Sequence, residues 1–203
     1  FDSVDIDLIE VLTANAESAF QRLRSDRVHT ALADELSATQ SRISELGDII
    51  DAVQAVQRRL AESESQDGLE AGVCEELLAM ADIDFVWLGE PTGEDIDLSS
   101  ATWAGDAGGY LDAVLGDETA GELPAQRAAT TYQPHVVDSI PNRVLDESWA
   151  KEAVSYGFKS SVSVPLVHDD VLYGVLTAYS RSPAAFGETY KSLLTDVASL
   201  LMN

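Results

Sequence analysis

Two alternating runs near the end of the chain constrain its fold more than any other feature. They are SSVSVPLV at 160–167 and VLYGVLTAYS at 171–180, separated only by His168-Asp169-Asp170. Side chains of a strand alternate between two faces, and so short a link closes an antiparallel hairpin. A lone hairpin is marginal in water, so the rest of the chain has to supply more strands and a cover. DFVWLG (84–89) and SSATWAG (99–105) read as strands, and PHVVDSI (134–140) as another. GLEAGVCEELLAM reads as a helix with Asp67 as N-cap and Glu70 completing a capping box. Its apolar face is Leu69, Val73, Leu77 and Met80, with Cys74 beside it as a buried structural thiol. YLDAVLG and LPAQRAATT read as short helices. DESWAKEAVSYG is a helix capped by Asp146 and stopped at Gly157, and a last helix runs from Glu188 to Met202. This order implies an antiparallel sheet with helices on its faces, an α+β fold.

Upstream the pattern changes. From Val4 to about Glu64 there is no proline and one glycine, Gly47. Leu36, Ile43, Ile50 and Gln57 fall at heptad position a, and Leu32, Thr39, Leu46, Val53 and Leu60 at d. Residues 26–66 therefore read as a long coiled-coil helix pairing two copies of the chain. Its dimer seam is Leu32, Leu36, Ile43, Leu46, Ile50, Val53 and Leu60, and at ~1.5 Å per residue it spans roughly 60 Å. His29 would be a polar seam residue. The alternative is an amphipathic helix packed on its own domain. The opening residues share the pattern of the last helix: Phe1 matches Phe186, Leu8 matches Leu193, Ile9 matches Leu194 and Leu12 matches Val197. Residues 1–25 thus read as the terminal helix of a preceding domain, and a chain beginning without Met reads as a piece of a longer protein.

Charge narrows the partners. Acidic residues number 36 against 12 basic ones, a formal charge of −24, while 45% apolar residues suffice for a core. Such a surface repels phosphate backbones and anionic lipid, so direct nucleic-acid or membrane binding is not expected. The diffuse acid excess with three lysines resembles proteins of salt-accumulating halophiles, with an ordinary acidic cytosolic protein as the alternative. One cysteine rules out an intrachain disulfide, no apolar run approaches the ~20 residues of a membrane span, and no histidine spacing gathers a metal. A cytoplasmic location is expected.

Two stretches carry a resemblance. GFKSSVSVPLVHDDVLYGVLTAYSRSPAAF resembles the C-terminal signature of GAF domains, with the match covering 67–203 in element order. AGVCEELL followed by FVWLGE is similar to the start of GAF domains in bacterio-opsin activator-like transcriptional regulators of halophilic archaea. That resemblance implies a preceding GAF-like domain ending in 1–25, a signalling linker at 26–66 and a GAF domain at 67–203. It implies a small-molecule sensor whose DNA-binding output lies outside this chain. An unliganded dimerisation module, or the input domain of a sensor histidine kinase, are the alternatives, and enzymatic activity is not expected.

GAF domains usually hold a ligand between one sheet face and the short helices covering it. Alternation then offers Ser161 and Ser163 from one strand, and Tyr173, Thr177 and Tyr179 from the next, opposite Leu172, Leu176 and Ala178. Trp87, Trp103, Tyr110, Trp149 and Phe158 offer aromatic walls, with His135 at the start of a strand nearby. The ligand stays unnamed. Cys74 is misplaced for bilin attachment, the residue set of cyclic-nucleotide-binding members is missing, and GDAGG (105–109) lacks the Lys and Ser/Thr of a phosphate loop. No cofactor is assigned.

Overall fold

The structure, a computed structural model, describes residues 29, 32–40, 42–44, 46–47, 49–59, 61, 65–92, 97–115 and 122–202. The chain divides into two compact units, Phe1–Gly47 and Asp48–Asn203. Residues 1–25 and Leu60, both assigned roles from the sequence, lie outside the described residues. In the first unit the described residues are helical and expose Leu32, Leu36, Ile43 and Leu46.

The second unit is built on one antiparallel sheet. Its elements are α1 (Gln66–Leu78), β1 (Phe85–Thr92), β2 (Asp97–Ala104), α2 (Gly108–Val114), α3 (Pro124–Thr131), β3 (His135–Val137), a 3-10 turn (Ile140–Arg143), α4 (Ser148–Ser155), β4 (Ser160–His168), β5 (Val171–Ser180) and α5 (Glu188–Leu201). The strands lie in the order β2-β1-β5-β4-β3. A helical stretch at 49–59 precedes α1. Ile50 is exposed there, but Ala52 and Val56 are buried and Val53 packs against the domain core. Val53 is thus drawn onto its own domain, which corrects its assignment to a dimer seam. An apolar side chain gains as much from an intramolecular core as from a partner helix.

Period-two alternation divides the domain into two cores. On one face, Val86, Leu88, Val162, Val164, Leu166, Leu176 and Ala178 pack against α1 and α5. On the other, Phe85, Trp87, Val175 and Tyr179 pack under α2, α3 and α4. The helices form where their punctuation permits. α1 starts at Ser65 rather than Asp67: the Ser65 hydroxyl accepts from the Gly68 amide at 3.3 Å, leaving Asp67 inside the first turn. α3 opens with Pro124, whose missing N–H costs nothing in a first turn, and Gln126 Oε1 accepts from the Leu123 amide at 2.8 Å. α4 begins after Glu147 rather than Asp146.

Three strand details follow from local chemistry. The hairpin turn is Asp169-Asp170, with φ of 50° and 60°, the left-handed pair of a type I′ turn. At Gly174 a Cβ would stand 2.8 Å from the Gly89 carbonyl oxygen, so only glycine lets β1 and β5 approach this closely. Pro165 pairs with Val175 on β5, beyond the last rung that the three-residue β3 makes with β4.

Candidate functional site

Strand register assembles one row of side chains across the face covered by α2, α3 and α4. Trp103 on β2 lies opposite Trp87 on β1, and Trp87 lies opposite Thr177 on β5. Thr177 lies opposite Ser163 on β4, and Ser163 opposite His135 on β3. At ~4.8 Å per strand the row spans roughly 19 Å. A neighbouring row runs Phe85, Tyr179, Ser161 and Val137. Five residues far apart in sequence thus become neighbours because each strand contributes one rung.

The rings above these rows pack tightly. Phe158 and Tyr179 have centroids 4.9 Å apart, Tyr110 and Tyr179 5.3 Å, Tyr110 and Phe158 5.8 Å, and Phe85 and Phe158 5.9 Å. The Tyr110 and Tyr179 hydroxyls share a buried hydrogen bond at 3.0 Å. Burial raises the pKa of both phenols, because a phenolate there would have no solvent. The Thr177 hydroxyl donates to Ser163 Oγ at 3.0 Å. At the β3 end, half-buried His135 is held below the usual imidazole range, first by desolvation, then by the charges of Arg127 and Arg143. Both arginines face carboxylates, Arg127 to Glu122 at 3.1 Å and Arg143 to Glu147 at 3.7 Å.

Among the described residues, four buried side-chain polar atoms lack a protein hydrogen-bond partner: Trp87 Nε1, Ser100 Oγ, Trp149 Nε1 and Ser161 Oγ. Trp87 and Trp149 belong to the aromatic core. Ser161 alternates with Val162, and Ser100 pairs with Gly89 two rungs from the Trp87–Trp103 pair. All four therefore belong to the same side of the sheet. Beside them a cleft of about 410 Å³ opens between β2 and α2. Leu98, Ser99, Ser100 and Trp103 form one wall, and Gly108, Leu111, Asp112 and Leu115 the other. A Cβ at Gly108 would stand 2.9 Å from Trp103 Nε1, so a larger residue there would displace that indole.

Trp87, Tyr110, Trp149, Phe158, Ser161, Ser163, Thr177 and Tyr179 are buried on or over this face. His135 borders it, and Trp103, 50% exposed, lines the cleft. Tyr173 does not join them. Leu166 pairs with Gly174 and Val167 with Leu172, so Tyr173 is the extra residue of a β-bulge and is 52% exposed. The bulge also reverses the expected facing of Leu172, which packs against the aromatic core. Ser100 and Phe85 were not anticipated. A second bulge, with Ala101 unpaired between Ser100 and Thr102, lets Ser100 and Trp103 share a face although three positions separate them. Cys74 belongs to the opposite core, its thiol pushed up to about 12 by burial and by Glu70 and Glu75. Among the described residues no three His, Cys, Asp or Glu side chains come together to hold a metal ion. Nor is any helix among them long and apolar enough to cross a membrane.

A family model described as GAF domain matches residues 63–203. No curated protein matches the chain. Among solved structures, the chain is similar to free methionine-R-sulfoxide reductase from Neisseria meningitidis in complex with its substrate. The TM-score is 0.60 at 20% identity, covering 74% of this chain and 86% of that one. The GAF domain of phosphoenolpyruvate-protein phosphotransferase from Acinetobacter gives 0.58 at 13% identity, covering 76% and 90%. The chromophore-binding domain of a bacteriophytochrome from R. palustris gives 0.58 at 16%, covering 77% and 60%. At these identities the likeness is one of fold. It nevertheless corrects the expectation that the chain is not an enzyme. That expectation rested on missing sequence motifs, and the reductase shows that this architecture carries catalysis.

Proposed function

The chain belongs to the GAF domain family, and on that premise we propose that it is a small-molecule-sensing regulatory module. The four buried polar atoms without a protein partner, all on the helix-covered face, carry this reading. Leaving a buried donor or acceptor unmade costs about 1–3 kcal/mol, while the opposite core contains none among the described residues. A ligand that meets these atoms would shift the packing of α2, α3 and α4, and ligand-dependent packing is what a sensor transmits. Mass spectrometry of small molecules extracted from protein purified in high salt, against a mock-purified control, tests it. A specific stoichiometric compound is expected. Recovery of none would favour an unliganded dimerisation module, its interior closed by its own aromatics.

The finer reading is a signalling array. Residues 26–66 form a dimeric helical linker, 1–25 end a preceding GAF-like domain, and the output is a DNA-binding domain elsewhere in a transcriptional regulator of the bacterio-opsin activator-like type. A halophilic archaeal source agrees with the formal charge of −24, and such a regulator works in the cytoplasm. The exposed stripe of Leu32, Leu36, Ile43 and Leu46 supports the linker. Leu36→Asp with Ile43→Asp is expected to convert a dimer to a monomer in sedimentation without loss of the domain's thermal transition. A dimer that persists would sink the linker reading. A sensor histidine kinase remains the alternative output.

A further inference from the structure

Building on the sensor reading, we propose that the site takes an uncharged molecule bearing hydrogen-bond acceptors, admitted through the cleft between β2 and α2. Three observations converge on that class.

The first is the donor inventory. Tyr110 and Tyr179 engage one another, as do Thr177 and Ser163, so each of these hydroxyls already has a partner. What remains without partners is two indole N–H groups and two serine hydroxyls. An indole nitrogen donates and never accepts. A molecule that satisfies Trp87 and Trp149 therefore has to present acceptors such as carbonyl oxygens or ring nitrogens.

The second is charge. Every polar residue classed as buried among the described residues is a serine or threonine: Ser160, Ser161, Ser163, Thr177 and Ser180. No countercharge lies within the layer, and an unpaired ion taken out of water there is heavily penalised. Arg127 and Arg143, whose charges act on His135 at the β3 end, already face Glu122 and Glu147. An anion would also approach a chain of formal charge −24. Asp112, the one charged residue of the cleft wall, is exposed on α2 and belongs to its rim.

The third is shape. Ser100 is both a wall of the cleft and one of the unpartnered groups. It pairs across the sheet with Gly89, and a Cβ on Gly89 would stand 2.5 Å from the Trp87 ring. The benzo edge of Trp87 thus abuts the glycine backbone beside Ser100. Leu98, Leu111 and Leu115 add apolar lining, so the cleft leads past an apolar rim to one of the unpartnered hydroxyls.

The test uses three probes of nearly one shape: benzamide, benzoate and benzylammonium. Each is titrated into the ¹⁵N-labelled chain while the three indole N–H resonances are followed, assigned by Trp87→Phe, Trp103→Phe and Trp149→Phe. Benzamide is expected to move the Trp87 resonance downfield saturably, and Ser100→Ala to weaken that binding by about threefold to tenfold. Trp103 lines the cleft, so its resonance reports entry alone. Equal or tighter saturation of Trp87 by benzoate or benzylammonium would overturn the uncharged class while leaving the sensor site intact. No movement of Trp87 or Trp149 by any probe up to roughly 10 mM, or movement of Trp103 alone, would overturn the site and the sensor reading together.

Discussion

Tyr110 and Tyr179 set the terms at the residue scale. Each hydroxyl is the other's partner in a dry layer, at 3.0 Å. Tyr110→Phe alone leaves the Tyr179 hydroxyl buried without a partner, and Tyr179→Phe does the reverse. Each single variant is expected to lose about 1–3 kcal/mol of unfolding free energy. The double variant removes both ends of the bond and should lose less than the sum, measured by urea denaturation around the full cycle. Additive losses would mean that the two hydroxyls do not depend on one another. Residue identity was readable here, because aromatics with polar tips on alternating strands point to a covered face. The pairing was not. Tyr110 sits on a short helix 69 positions before Tyr179, and no local period links them.

The hairpin shows what a single element can and cannot disclose. Its two strands were legible from period-two alternation, and β5 spans the expected 171–180. Alternation also assigned Ser161, Ser163, Thr177 and Tyr179 to one face, as observed. It failed at Tyr173 and Leu172, because a bulge adds one residue and inverts every facing beyond it. The bulge at Ala101 hid Ser100 in the same way. Such slips are set by fit to the neighbouring strand, so the strand's own sequence does not announce them. The turn carries its own prediction. Asp169 and Asp170 both hold left-handed backbone that favours Asn and Gly. Asp169→Asn with Asp170→Gly is expected to stabilise the domain by about 0.5–1 kcal/mol, read as a rise in the denaturation midpoint at unchanged slope. An unchanged or lower midpoint would contradict the turn assignment.

At the scale of the whole molecule, charge and sheet edges govern behaviour. With 36 acidic residues against 12 basic ones, the folded state concentrates repulsion that the unfolded chain relieves. Screening at 1 M salt shortens the Debye length to about 3 Å. The thermal midpoint should therefore climb steadily between low salt and molar KCl, followed by circular dichroism. A midpoint independent of salt would mean that the carboxylates are already compensated locally.

The short third strand has a consequence of its own. β3 gives β4 three rungs, ending where His135 meets Ser163. Pro134 stands immediately before His135 and so stops β3 from running further. Past that point β4 has no further strand partner on that side among the described residues, and an unpaired edge is the kind on which foreign strands polymerise. Pro165 stands there without an amide hydrogen to offer. One proline shortens the guard strand, and the other acts as gatekeeper over the gap. High salt would otherwise bring such molecules together by quenching the repulsion that keeps them apart. The same screening that steadies the fold would then favour fibres, and Pro165 separates the two outcomes.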